Sequence, residues 1–274
     1  MYNQVAIIIP VYRPEPDETE KMSLRQCLSV LGGYPIIFFC GHSFNCSAYE
    51  RFASDHGVVY QKRTFPDGFF TSKETYNALC LQKAFYTAFA DYEFILIYQL
   101  DAWVFRDELA SWCAKAYDYI GAPYPTDFDA PLDEVVFSTV GNGGFSLRRT
   151  KPIINLLSTY RRMKNWSELL DAYAPRTRQN PLFYLYVLIR YAGYRNTISY
   201  LKKGKWEDNF FSEVGRLTSY LRIPKAEEAL MFSFEYKPSA AFAQNKGQLP
   251  FGCHGWTWIE YETFWHHHIG EIAH

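Results

Sequence analysis

The chain has 274 residues, 48% hydrophobic and 21% charged, which is enough apolar material for a sizeable core and excludes a largely disordered protein. Its length suits one large α/β domain, or one domain with a small annex. A formal net charge of -1 offers no basic field for a long polyanion, so nucleic acid is excluded as the main partner, although a local basic patch for a diphosphate would not show in that sum.

Residues 5–11 (VAIIIPV) have the apolar density of a strand. Residues 18–31 carry Met22, Leu24, Cys27, Leu28 and Leu31 at helical spacing and stop at Gly32-Gly33. A second strand follows over 36–40, a helix over 46–56 closed by Gly57, and a third strand over 58–61. A long helix over 73–90, entered through a Thr71 or Ser72 cap, leads to a fourth strand over 94–100. This alternation predicts a parallel, Rossmann-like sheet with right-handed crossovers. No GxGxxG follows the first strand, so the dinucleotide fingerprint is missing.

The second half breaks the pattern. Residues 119–125 read as a short strand running into a Pro-rich loop, and 126–133, with three Asp and little periodicity, as a surface loop. Residues 135–147 are strand material interrupted by Gly141-Asn142-Gly143-Gly144, and helical segments follow over 153–163, 167–173 and 181–191.

Cys27, Cys40, Cys46, Cys80, Cys113 and Cys253 form no CxxC pair, and the chain opens on a strand-like segment without a signal peptide, so the reading is of reduced thiols in the cytoplasm. The longest apolar stretch, around 182–189, is too short and interrupted to span a bilayer.

The run over 94–105 (FILIYQLDAWVF) is a buried-looking strand ending in a lone carboxylate. Asp101 is thereby delivered to a strand's C-terminal edge, where open α/β sheets bind ligands. Gln99 lies two residues earlier, so on extended backbone the two side chains point the same way, the geometry of a short metal and nucleotide motif. Equally, Asp101 reads as a turn residue or the cap of a helix beginning near Asp107-Glu108-Leu109.

Other residues carry the same double reading. Gly141 to Gly144 suit a bulged hairpin or a close backbone approach. Glu207 and Asp208 suit the first turn of a helix by its dipole alone, and His254 suits a satisfied structural histidine. With 22 Tyr and 22 Phe, most aromatics are core, while Trp103, Trp206 and Trp256 adjoin these segments and are candidates to line a site. The His266-His267-His268 tract reads as a surface feature, and Cys40 with Cys46 lacks the second pair that zinc needs.

Four segments occur in order: Tyr98-Gln99-Leu100-Asp101, Gly141-Asn142-Gly143-Gly144-Phe145-Ser146-Leu147-Arg148, Trp206-Glu207-Asp208-Asn209-Phe210-Phe211 and Phe251-Gly252-Cys253-His254-Gly255-Trp256. Together they resemble the GT-A-fold glycosyltransferases, and more closely the DUF5672 family of glycosyltransferase-like proteins, over residues 60–256. The resemblance implies a GT-A-like Rossmann-type mixed sheet with helices on both faces and an irregular, helix-rich C-terminal half. It implies one catalytic domain over 1–274, with a nucleotide-binding half (1–105) and a half that binds acceptor and completes the metal site (106–274).

By the same resemblance, Asp101 and His254 would ligate Mn²⁺ or Mg²⁺, and Gln99, standing where the family type has a first acid, would hydrogen-bond the donor. Val11, Tyr12, Lys73 and Asn77 would border the nucleotide. Asn142, Gly143 and Gly144 would floor a sugar pocket lined by Trp103, Trp206 and Trp256, with Arg148 structural. Asp208, or after it Glu207, would be the base of an inverting transfer. The implied partners are a nucleotide-sugar donor, most readily a UDP-sugar, and a hydroxyl on a glycan or lipid-linked acceptor. The implied location is cytoplasmic or at the membrane periphery. Two alternatives stand beside this: a catalytically silent nucleotide- or sugar-binding protein, and a sugar nucleotidyltransferase, for which Pro10-Val11-Tyr12-Arg13-Pro14 is a poor phosphate loop.

Overall fold

In the computed structural model, residues 3–158, 160–165, 167, 168, 171, 181–191 and 193–270 are described. The strands are β1 (Asn3–Pro10), β2 (Ile36–Gly41), β3 (Tyr60–Phe65), β4 (Tyr92–Tyr98), β5 (Ala102–Val104), β6 (Tyr119–Ile120), β7 (Pro123–Pro125), β8 (Phe137–Val140), β9 (Phe145–Arg149), β10 (Ser233–Phe234) and β11 (Gly252–His254). Six of them form the main sheet in the order β3-β2-β1-β4-β9-β6, while β10-β11-β5 and β7-β8 form two small sheets.

The expected mixed α/β architecture holds. β1 runs parallel to both β2 and β4, and β2 parallel to β3. β1, β2 and β4 can be apolar almost throughout because helices cover both faces, and Ile7, Ile8, Ile9, Ile36, Ile37, Leu96 and Ile97 are fully buried. Each such side chain contributes about 1.5–3 kcal/mol. The departure from a parallel sheet is β9, antiparallel to β4 and to β6. The strand on which the glycine segment empties therefore lies directly beside the strand that leads to Asp101.

The helix Glu18–Leu31 has the predicted bounds. Asp17 accepts from the Glu20 amide at 2.9 Å while the Glu20 carboxylate accepts from the Asp17 amide at 3.1 Å, a reciprocal cap. Its buried face also fixes β5, with Ser23 Oγ donating to the Ala102 carbonyl at 2.7 Å and Gln26 Nε2 to that of Val104 at 2.7 Å.

Four predicted elements differ. The third strand begins at Tyr60 and extends to Phe65, paired along its length with β2. The fourth stops at Tyr98, because a turn with the Ala102 amide on the Gln99 carbonyl (2.9 Å) follows at once. The long helix is two, Lys73–Cys80 and Lys83–Thr87. The Tyr86 hydroxyl takes the Cys80 carbonyl at 2.9 Å and Lys202 takes that of Leu81 at 3.4 Å, the acceptors a continuous helix would use itself. The helix placed at 153–163 is Thr150–Ser158, and most of the one placed at 167–173 lies outside the described residues. Pro181–Tyr191 is helical as expected.

A second, smaller core gathers Phe234, Cys253, Trp256, Phe264 and Trp265 under the β10-β11-β5 sheet. All six cysteines are buried and unpaired. Among the described residues, no helix is long and apolar enough to cross a membrane.

Candidate active site

The site begins where β4 ends. β5 pairs antiparallel with β11, setting His254 opposite Ala102 and its ring beside Asp101 and Gln99. His254 Nε2 lies 3.0 Å from Asp101 Oδ1 and 3.1 Å from Gln99 Oε1, and Nδ1 lies 2.9 Å from Glu235 Oε1. Gln99 and Asp101 thus converge through a turn rather than through strand alternation. Burial by itself would lower the imidazole's pKa, but the carboxylates of Asp101 and Glu235 outweigh it and hold His254 at about 10. Burial likewise opposes the charge of Asp101, and His254 together with Trp258 keeps its carboxyl below the ordinary range. In this state the corner is an imidazolium between two carboxylates.

Beneath it runs the glycine segment. Asn142 adopts φ +67°, a left-handed value that Asn tolerates, and its Oδ1 accepts from the amides of Gly144 (2.7 Å) and Phe145 (3.2 Å). Gln99 N donates to the Gly144 carbonyl at 2.8 Å, joining the segment to the turn at Asp101. The two following glycines are required by what covers them. A Cβ on Gly144 would stand 2.0 Å from His254 Nε2, and one on Gly143 2.1 Å from Glu207 Oε1. The space their missing side chains leave is filled by the imidazole and the carboxylate.

Glu207 and Asp208 open the helix Glu207–Leu217, whose N-cap, Trp206, supplies no side-chain bond. Asn77 supplies one from the helix Lys73–Cys80: its Oδ1 accepts from the Glu207 amide at 2.6 Å, and its Nδ2 donates to the Lys205 carbonyl at 3.2 Å. The two acids then part. Glu207 is buried and ion-paired at 2.9 Å with Arg148, itself fully buried. Arg148 also donates to Ser146 Oγ (3.0 Å), Tyr86 Oη (2.8 Å) and the Gly143 carbonyl (3.2 Å). Burial pushes Glu207 up to about 7, with Arg148 pulling the other way and Asp208 adding to the rise. Asp208 is half-buried and accepts a hydrogen bond from the Tyr124 hydroxyl, which in turn accepts from the Asn142 amide at 3.0 Å. Asp208 is thereby connected through Tyr124, Asn142 and Gly144 to the corner at His254.

Five buried side-chain polar atoms have no hydrogen-bond partner among the described residues, and four of them flank this site: Tyr76 Oη, Asn142 Nδ2, Glu207 Oε2 and Glu235 Oε2. Tyr76 belongs here because Gln99, Arg148 and Glu207 all act on its hydroxyl. Buried polar groups are normally satisfied, so such a concentration marks a place built around something polar.

The remaining candidates separate. Trp256, expected to line the pocket, is instead fully buried, its Nε1 donating to the Ala102 carbonyl at 3.1 Å, and it packs edge-on against Trp103 at 5.4 Å. Trp206 is half exposed, Lys73 is exposed at its helix start, Val11 is buried, and Tyr12 is exposed, near enough to Glu20 and Asp101 to feel their charge. Asn77 spends its amide on the backbone, as above. Sequence reasoning missed Glu235, Tyr124 and Trp258. Only Glu235 carried a signal, a carboxylate straight after the short strand Ser233–Phe234.

A divalent cation fits the corner. His254 Nε2 has an Asp101 oxygen at 3.0 Å and a Gln99 oxygen at 3.1 Å, three donors that would suit such an ion once the imidazolium has given up its Nε2 proton. Glu235 lies behind the far nitrogen, the place of a carboxylate that orients a ligating imidazole. Among the described residues, no three His, Cys, Asp or Glu side chains are grouped to cage an ion alone. The fit is to a cation that completes its shell with phosphate oxygens and water, as Mg²⁺ characteristically does.

Three solved structures resemble the chain in shape. Core-mannan synthase A from Aspergillus fumigatus, in a Mn/GDP form, is 12% identical with a TM-score of 0.36, over 89% of this chain and 64% of that one, so the chain spans less than two thirds of its length. The galactosyltransferase LgtC, in complex with donor and acceptor sugar analogs, is 11% identical with a TM-score of 0.48, over 91% and 86%. A glycosyltransferase involved in glycosylating the major capsid of PBCV-1 is 11% identical with a TM-score of 0.43, over 97% and 98%. At such identities and scores no residue role carries across. No curated protein matches. A family model described as a protein of unknown function, DUF5672, matches residues 59–254, a span that opens at β3 and closes on the histidine that meets Asp101. On that match over most of its length, the chain belongs to the DUF5672 family.

Proposed function

We propose that this protein is a metal-dependent glycosyltransferase of the GT-A type, transferring a sugar from a nucleoside diphosphate donor, a UDP-sugar, to a hydroxyl of a glycan or lipid-linked acceptor. The observation that carries the reading is the joining of two chemical groups by one hydrogen-bonded segment: Gln99, Asp101 and His254 at one end, and Asp208 on Tyr124 at the other. A divalent cation, when bound, neutralises charge on the leaving diphosphate.

The chain's own residues do the rest. Asp101 and His254, the latter after losing its Nε2 proton, would hold the cation, Mn²⁺ or Mg²⁺, with Glu235 fixing the ring, and Gln99 would bind the donor as a neutral group. Trp258, exposed beside Asp101, and Tyr12 offer faces to the nucleoside. Lys73, exposed at its helix start, meets the phosphates as a point charge. Asp208 is the base: it is the acid that reaches the surface, whereas Glu207 is held beneath Gly143 by Arg148. Asp208 takes the proton of the acceptor hydroxyl as that oxygen attacks the anomeric carbon, and the configuration inverts. Tyr124 keeps the carboxylate aimed.

Calorimetric titration of UDP, with GDP as comparator, with and without Mn²⁺, tests the reading. Metal-dependent UDP binding that disappears in Asp101→Ala is expected. Nucleotide binding under no condition, or full affinity in the variant, would overturn it. A silent binding protein is the second reading, favoured by the neutral Gln99 at the cation corner.

A further inference from the structure

The chain's charge is not evenly spread. Residues 160–205 hold ten of the 28 Lys and Arg and two of the 29 Asp and Glu, so this stretch carries +8 and the rest of the chain -9. Within it the helix Pro181–Tyr191 turns an aliphatic row outward: Leu182 is 76%, Leu185 54% and Ile189 74% exposed, with Tyr186 between them, while Val187 is fully buried. Their spacing of three, four and seven places them on one face.

Basic side chains border that row. The Arg190 guanidinium stands over the Tyr186 ring at 5.5 Å, and the Lys203 ammonium over the exposed Tyr194 ring at 5.1 Å. A hollow of about 510 Å³, lined by Tyr186, Ile189, Arg190, Gly193, Tyr194 and Arg195, joins apolar wall to cationic rim. None of these residues takes part in the site above.

We infer that this face docks the protein on an anionic lipid surface. The helix lies in the interface plane, with Leu182, Leu185 and Ile189 at the acyl boundary, the tyrosines at headgroup level, and Arg190, Arg195 and Lys203 against lipid phosphates. An aliphatic row has no counterpart on a nucleic acid, whose backbone would reward the cations alone, and the charge complements a phosphate-bearing bilayer. The inference is independent of the glycosyltransferase reading, because vesicle binding requires neither nucleotide nor metal.

The test is flotation of the full chain with vesicles of phosphatidylcholine mixed with phosphatidylglycerol, and with phosphatidylcholine alone. Binding to the anionic vesicles only, weakening as salt rises, is expected. Ile189→Asp should weaken it by at least roughly tenfold through lost apolar burial, and Arg195→Gln by roughly fivefold through one lost charge. Both residues are exposed, so each variant should melt with the parent; should Ile189→Asp fold poorly, Arg195→Gln decides. Equal binding to both vesicle types, no binding, variants as good as the parent, or binding to duplex RNA in place of vesicles would each overturn the inference.

Discussion

Replacing Gly144 by Ala tests the geometry of the corner with one methyl group. The residue has no left-handed φ, so its backbone accepts alanine and the effect isolates the contact. The new Cβ would stand 2.0 Å from His254 Nε2 and 2.2 Å from Cδ2, where ordinary contact begins at 3.4 Å. The ring must therefore retreat by about 1.4 Å, and its 3.0 and 3.1 Å interactions with Asp101 and Gln99 cannot survive that. Hydrogen bonds to charged groups contribute about 1.5–3 kcal/mol each, so the loss is on the order of 3 kcal/mol. For a chain of this size that lowers Tm by roughly 10 °C. Melting followed by circular dichroism reads the stability, and calorimetry of UDP with Mn²⁺ should show at least a roughly tenfold loss of affinity. Gly143→Ala is the control: its Cβ meets Glu207 Oε1 at 2.1 Å, so it should cost stability through the Arg148 pair and spare the metal-dependent binding. A Gly144→Ala protein that melts within about 2 °C of the parent and binds equally well would refute the reasoning.

Asp208→Asn should retain donor affinity and lose kcat by at least roughly a hundredfold, the usual worth of a positioned base; comparable loss from Glu207→Gln with Asp208 intact would reverse their roles. Glu207 also makes a pH prediction. Its folded pKa, about 7, is raised above the ordinary 4.5, so its contribution to stability is full below about pH 4.5 and is lost as pH rises through 7. The Tm of the parent relative to Glu207→Gln should therefore fall over that window, and a difference independent of pH would contradict the burial argument. Glu207→Ala, which strands the Arg148 guanidinium in the core, should cost about 3–5 kcal/mol by chemical denaturation.

Local features of the fold were legible, and their meetings were not. The helix Glu18–Leu31 falls where apolar spacing puts it because its buried face and its Asp17 cap agree. The strand to Asp101 is equally plain from its unbroken apolar run. The direction of β9 is invisible in Phe145–Arg149, since a strand's pattern reads the same for parallel and antiparallel pairing, and so is the break at Leu81, where the side chains of Tyr86 and the distant Lys202 take the carbonyls. At the site, Asp101, Asp208 and His254 stand out as carboxylates and an imidazole at element ends. Trp256 adjoins the same motif, yet the small second core swallowed it. Glu235 meets His254 only because β10 lies beside β11, a pairing no local pattern announces.

The pairing of β5 with β11 also has a consequence in time. Gln99 and His254 are separated by 155 residues, and it is β11 that brings the imidazole to the corner. Contacts of such span close late, after most chain entropy has been lost. On a ribosome, the β1–β4 layers can assemble long before residue 254 leaves the exit tunnel, and until then Asp101 has no imidazole beside it. The protein would thus acquire its fold first and its charged corner last, so a nascent chain could be compact while Asp101 and Gln99 still stand without their shared partner.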